Sequence, residues 1–272
     1  MPELPEVETT RRGLAPHLVG QRVEAVIVRN RALRWPIPRD IAKRVQGCIV
    51  RRVERRGKYL LIDCGAGWLI LHLGMSGSLQ VVASATPATR HDHVDIVLSS
   101  GNCVRLTDPR RFGALLWAAG DPLHHRLLAK LAPEPLQTEF NAIWLHSRTR
   151  KRRAAIKTIV MDSHIVVGVG NIYASEALFS AGIHPGLGAG RMSLARCEIL
   201  VAAIRATLTA AIEAGGSSLR NYVGAEGAPG QFQQTCFVYG RQGMPCRVCG
   251  TGIKALRQGQ RSTFFCPQCQ RR

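Results

Sequence analysis

No stretch of this 272-residue chain approaches the ~20 consecutive apolar residues that a bilayer span requires. The N-terminus carries Glu3, Glu6 and Glu8 and no apolar run, so a cytoplasmic protein is expected rather than one with a secretory signal. There is no internal repeat. Acidic residues are scarce: 18 Asp and Glu stand against 37 Lys and Arg, a formal charge of +19. A folded chain this basic calls for a polyanionic partner, nucleic acid first and an anionic membrane surface second. Hydrophobic residues, at 46%, suffice for a packed core, which excludes a disordered chain. The length fits one large domain or two modest ones.

Five of the nine cysteines, Cys48, Cys64, Cys103, Cys197 and Cys236, are scattered. In a reducing cytosol they read as small buried hydrophobes rather than disulfide partners. The other four are clustered as Cys246-x2-Cys249, sixteen residues, then Cys266-x2-Cys269. That is the spacing of a zinc site made of two knuckles. Four soft thiolates close a tetrahedral shell around one structural Zn2+ and leave no open position. In a tail with few large apolar groups, the metal supplies the folding energy. The basic segment between the knuckles, KALRQGQRSTFF, ends in β-formers. It predicts a hairpin presenting Arg257 or Arg261 to phosphate.

Local patterns divide the rest of the chain. Residues 1–19 read as a helix: Pro5 suits a first turn, Glu6 and Glu8 favour the positive end of the dipole, and Pro16 ends or kinks it. From residue 21 to 118, short runs rich in Val, Ile and Leu recur: QRVEAVIVR, CIVRRVERR, KYLLIDC, GWLILHLG, VDIVLSS, NCVRLTD and FGALLWA. Turn signals separate several of them, and together they predict an antiparallel β-sandwich. APEPLQ, around Pro133 and Pro135, reads as a linker. Beyond it the periodicity is helical. Leu194, Cys197, Leu200, Val201, Ile204, Leu208, Ala211 and Ile212 form one apolar stripe, with Ser193 as N-cap and Gly215 as stop. Two shorter helices are expected near 152–162 and 171–181. Residues 216–234, rich in Gly, Ser and Gln, predict a mobile loop.

Met1-Pro2-Glu3 has a chemical reading. Methionine before a small residue is usually removed, which would leave Pro2 with a secondary α-amine. An α-amine has a pKa near 7.7–8.0, against ~10.4 for lysine, so it is a usable nucleophile without strong tuning. A secondary amine also gives a permanently charged iminium with an aldehyde carbon, an electron sink for eliminations. Glu3 would stand beside the reacting centre as a proton donor or acceptor. Taken alone, the dipeptide reads first as a small residue behind the initiator.

The dipeptide has company. MPELPEVETTRRGL at the start, RGKYLL around Lys58, HLGMSG around Met75, RHDHVD ending at Asp95, DPRRFG around Arg110 and VVGVGNIYASEALF around Asn171 occur in order. The four-cysteine tail with QRSTFFCPQCQ follows. Together they resemble the bacterial formamidopyrimidine-DNA glycosylase family, also called 8-oxoguanine DNA glycosylases, over essentially the whole chain. The resemblance implies an α+β fold. An N-terminal helix and antiparallel β-sandwich would occupy 1–133. A helical helix–two-turn–helix domain would occupy 134–235 and a zinc-finger hairpin 236–272, with DNA across the cleft between the lobes. It implies a bifunctional enzyme of base excision repair, acting as a monomer on damaged double-stranded DNA. Such an enzyme removes oxidised purines, 8-oxoguanine and formamidopyrimidines, and cleaves the strand by β- and δ-elimination.

By position, the resemblance makes Pro2 the nucleophile at C1′ and Glu3 the acid–base group. Lys58 and Arg261 join them as catalytic residues that grip the phosphates near the lesion. Asn171, His72, His91, Arg111 and Lys157 become DNA contacts; Asn171 stands at a helix N-terminus, where free N–H groups already favour phosphate. Met75, Arg110 and Phe112 match residues that fill the gap left by a flipped nucleotide, a gap that costs roughly a few kcal/mol. A thioether and a ring can wedge between bases, and a guanidinium can bond to the orphaned cytosine. Two other readings stay open. One is an endonuclease VIII-like glycosylase for oxidised pyrimidines, opposed by Leu4, where that branch usually has glycine. The other is a non-catalytic zinc-ribbon DNA-binding protein.

Overall fold

The structure is a computed structural model that describes residues 2–217 and 230–271. Contacts divide the chain into two units. The first comprises Met1–Lys130 and Ala214–Gln231, the second Leu131–Glu213 and Phe232–Arg272.

In the first unit, helix α1 (Leu4–Leu18) has Pro5 in its first turn and Glu6 near its positive end. It runs through Pro16 rather than stopping there, and the Val19 N–H still reaches the Ala15 carbonyl at 3.0 Å. A proline so near the end removes only one bond of the last turn. Eight strands follow, β1 (Val23–Val28), β2 (Arg52–Arg56), β3 (Tyr59–Asp63), β4 (Trp68–His72), β5 (Ser78–Ala83), β6 (Asp92–Leu98), β7 (Asn102–Thr107) and β8 (Ala114–Ala118), with a short helix α2 (Ile41–Val45) after β1. They make two four-stranded sheets, ordered β1-β6-β7-β5 and β2-β3-β4-β8, and every pairing is antiparallel. One core joins both sheets and α1: Val7, Leu14 and Leu18 pack with Val26, Ile96 and Leu106 and with Leu60, Ile62, Leu71 and Leu115. This is the expected sandwich. Strand β5 and helix α2 escaped the sequence reading. The β5 residues SLQVVA grade from buried to exposed along the strand and show no two-residue alternation.

The second unit contains α3 (Ala142–Thr149), α4 (Ile156–Val160), α5 (Asn171–Ser180) and α6 (Leu194–Glu213), then the hairpin β9 (Lys254–Gln258) and β10 (Arg261–Phe265). Helices α4 and α5 are joined by successive turns over 161–170, a helix–two-turn–helix arrangement. Helix α6 buries the stripe expected of it, from Cys197 to Ile212. The Ser193 hydroxyl accepts the Arg196 N–H at 3.2 Å, and Gly215 follows the helix at φ +73°. Helix α3 was not foreseen, although Asn141 caps it by accepting the Trp144 N–H at 2.9 Å. Of the mobile loop expected over 216–234, residues 218–229 lie outside the described residues. Among the described residues, no helix is long and apolar enough to cross a membrane.

Candidate functional site

The N-terminal candidates sit where α1 begins. Pro2 and Glu3 are both buried. Glu6, one turn on and 1% exposed, holds this end in place with its two carboxylate oxygens. One accepts the Glu3 N–H at 2.7 Å, and the other accepts the Ser217 N–H at 2.8 Å. Thus one buried carboxylate ties the residue beside Pro2 to the last described residue before 218. Ser217 also pairs with Gln231, which closes the base of that segment.

Lys58 lies in the two-residue turn Gly57–Lys58 between β2 and β3. Arg55 braces this turn by donating to the Gly57 carbonyl at 3.0 Å and to Glu8 of α1 at 3.1 Å. Burial would raise the Glu8 carboxyl, but hydrogen bonds from Arg11 and Arg12 and the charges of Arg11 and Arg55 bring it down to about 2. His72 pairs with Tyr59 across β4 and β3, their rings 4.8 Å apart. Burial, with the charges of Lys58 and Arg34, lowers the His72 imidazole to about 4. Its Nδ1 accepts the Gly74 N–H at 3.0 Å, so the proton of the neutral ring sits on Nε2. His72 is therefore a neutral hydrogen-bond donor at pH 7, not a cation.

Met75, Arg110 and Phe112 are brought together on two loops. Met75 is 42% and Phe112 41% exposed, and the Arg110 guanidinium lies 4.7 Å from the Phe112 ring centroid. Gly74, at φ +64°, lets the first loop press on the second: a Cβ there would come within 2.4 Å of the Phe112 carbonyl carbon. Arg111 holds φ +56° between the two side chains that flank it, a strained conformation for arginine. His91 joins this cluster through its carbonyl, which accepts the Asp108 N–H at 3.0 Å. Much of RHDHVD serves the sandwich instead. Asp95 is buried against Arg105, with bonds of 2.8 and 2.9 Å, because a buried carboxylate needs a partner.

In the second unit, Lys157 does not fit the expectation of a DNA contact. It is 2% exposed, and its ammonium donates to Asn171 Oδ1 at 2.6 Å, Thr263 Oγ1 at 2.8 Å and the Ser262 carbonyl at 3.4 Å. It ties the start of α5 to the hairpin. Asn171, half-buried, turns its amide toward the Ser262 carbonyl at 3.0 Å and the Tyr239 hydroxyl at 3.3 Å. Tyr239 was not singled out in the sequence; no local motif marks it, and only its contact with Asn171 does. Glu176 supports it by accepting the N–H groups of Phe237, Val238 and Tyr239 at 2.8–3.0 Å. Arg261 is exposed and begins β10, immediately after a turn in which Gly259 and Gln260 have φ +51° and +60°. The run Arg148–Arg153 also escaped attention; Arg150 to Arg153 are all exposed.

The four clustered cysteines converge, their sulfurs within 4.8 Å of one another. Cys246 and Cys269 stand 3.9 Å apart, Cys249 and Cys266 3.5 Å. A tetrahedron with Zn–S bonds of about 2.3 Å has edges of about 3.8 Å, so the donor set fits zinc. Hydrogen bonds from Thr251 lower the Cys249 thiol to about 6, toward the thiolate that a metal needs. Behind the sulfurs, Phe179 of α5 packs with Val238, Ile253, Cys246 and Cys266. Of the scattered cysteines, four are buried and Cys48 is half-buried.

Comparison with known proteins gives three successive matches. Residues 1–115 match the formamidopyrimidine-DNA glycosylase N-terminal domain, 131–223 its H2TH domain, and 243–272 the zinc finger found in FPG and IleRS. The four cysteines are thus the ligands of one structural zinc. Formamidopyrimidine-DNA glycosylases of Thioalkalivibrio sulfidiphilus and Cupriavidus pinatubonensis are 58% and 56% identical, covering 100% and 99% of this chain and all of each relative. The crystal structure of MutM (Fpg) from Thermus thermophilus superposes with a TM-score of 0.89 at 37% identity, covering 99% of this chain and 98% of that one. The Lactococcus lactis Fpg in complex with abasic-site DNA gives 0.92 at 33% identity, covering 99% of this chain and all of that one. An N-terminal sandwich, an H2TH element and a four-cysteine finger in this order, shared end to end with relatives at more than half identity, place this chain in the formamidopyrimidine-DNA glycosylase family.

Proposed function

We propose that this chain excises oxidised purines from double-stranded DNA in base excision repair and cleaves the strand at the resulting abasic site, acting as a monomer. The observation that carries the reading is the buried Pro2-Glu3 terminus, held through Glu6 on one side and followed by a helix on the other. Solved relatives bound to abasic and Fapy-dG DNA support the substrate class. Oxidised purines fit the purine-acting relatives better than oxidised pyrimidines do.

In this reading the lone pair of the Pro2 amine attacks C1′ of the flipped nucleoside. The glycosidic bond breaks, its electrons leave on the base, and the base takes up a proton. Glu3 protonates the ring oxygen as the sugar opens, which leaves an iminium between Pro2 and C1′. That cation draws electrons from C2′ once its proton is removed, and the 3′ phosphate departs. Loss of the C4′ proton then expels the 5′ phosphate, and water releases the sugar fragment from Pro2. Lys58, Arg261 and Asn171 grip the phosphates through this sequence, while His72 donates a neutral N–H. Met75, Arg110 and Phe112 occupy the gap in the stack.

Borohydride added during turnover should trap one covalent protein–DNA adduct, mapped to residue 2. Glu3→Gln should lose base excision far more than cleavage of a preformed abasic site. An adduct on Lys58, or full activity with a tag left on the N-terminus, would overturn the assignment.

A further inference from the structure

Met75 and Phe112 are large apolar side chains left exposed on a chain of net charge +19. They stand on separate loops, yet one carboxylate holds both loops. Asp108 is fully buried. Its Oδ1 accepts the Ser76 hydroxyl at 2.8 Å and its Oδ2 the Gly113 N–H at 2.8 Å. The Ser76 oxygen in turn accepts the Arg110 N–H at 3.2 Å. The Asp108 carbonyl accepts the Arg111 N–H at 3.1 Å and His93 Nε2 at 2.8 Å. Ser76 follows Met75 and Gly113 follows Phe112, so each carboxylate bond falls one residue from an exposed apolar side chain. Charge-assisted bonds in a buried site are stronger than neutral ones and leave little freedom to the loops that make them.

We propose that the Ser76–Asp108 pair positions Met75, Arg110 and Phe112 as one rigid wedge. The pair thereby sets how well the flipped state is captured and how the base left opposite is read, without entering the bond-breaking steps. This rests on the glycosylase reading given above. A wedge whose loops wander is binding-competent only part of the time, and apparent affinity falls by that fraction. Chemistry, once the nucleotide is seated, proceeds at its usual rate.

Steady-state and single-turnover kinetics on 8-oxoguanine duplexes, with cytosine or adenine opposite, test this directly. Ser76→Ala should raise KM about tenfold with kcat held within about twofold, and should narrow the preference between the two opposite bases. Ser76→Thr, which keeps the hydroxyl, should restore both. Asp108→Asn should act in the same direction, and Ser76→Ala carries the test if that variant folds poorly. In a Phe112→Ala background, Ser76→Ala should cost less than it does in the wild type, because one of the three side chains it positions is already gone. Additive losses in the double variant, or a fall in kcat at unchanged KM, would overturn the proposal. So would wild-type KM and base preference in Ser76→Ala. The wild type is the control for the underlying reading: if it excises no 8-oxoguanine, the glycosylase assignment fails, whereas failure of Ser76→Ala alone removes only the positioning role.

Discussion

A buried ammonium is costly unless its N–H groups find acceptors, and Lys157 has Asn171, Thr263 and the Ser262 carbonyl. Lys157→Met leaves these partners buried and short of a donor, so it should cost about 1–3 kcal/mol in stability. DNA affinity should fall alike for damaged and undamaged duplexes as Asn171 and the hairpin lose their alignment. Thermal unfolding and binding measured together check this; lost affinity at an unchanged midpoint would put the ammonium on the DNA itself. Acid should also act through single residues. Glu8 titrates at about 2 folded against 4.5 ordinarily, so the unfolded chain binds its proton first and stability is lost as pH falls from 4.5 to 2. His72 titrates at about 4 against 6.5, so the unfolded chain again binds the proton first and stability falls from pH 6.5 to 4. Urea midpoints should decline across both windows, and His72→Gln should flatten the upper one.

Among the elements, the zinc hairpin was the most legible and the hardest to foresee in its setting. Ligand spacing is local, so Cys246, Cys249, Cys266 and Cys269 announce the metal without any knowledge of the fold. What the finger rests on is not local: Phe179 of α5 completes its core, from 67 residues before the first cysteine. Cys249→Ser should lower zinc below one equivalent per chain and loosen the end of α5 as well, while the sandwich stays folded. Metal analysis with amide hydrogen exchange at 171–180 reads both effects; one zinc retained, or an unchanged α5, would contradict this. Helix α6 was legible for the same reason as the cysteines, since its stripe, cap and stop lie within one continuous segment. Strand β5 was not, because its residues lack the alternation of a half-buried strand and only its pairing with β7 marks it.

For the whole molecule, the charge of +19 makes binding a matter of counterion release. Affinity for undamaged duplex should fall with salt at a slope of about −0.9 per phosphate contacted, and a flat salt dependence would refute this. Composition therefore revealed the class of partner, and ordered motifs revealed the candidate residues. Neither could show that Lys157 turns inward, because the hairpin that receives it lies far along the chain, or that His72 is neutral, because burial in the folded sandwich makes it so. The same distance has a consequence for synthesis. Ser262 and Thr263 follow Lys157 by 105 and 106 residues. A ribosome adding about 5–20 residues per second leaves an interval of roughly 5–20 s in which Lys157 and Asn171 exist without their hairpin. The strands of the nascent sandwich thus emerge first, Ser217, which bonds to Glu6, follows within that interval, and the hairpin partners of Lys157 come last. A chain stalled in that interval would carry Pro2 and Glu3 but lack the hairpin that Lys157 and Asn171 bond to.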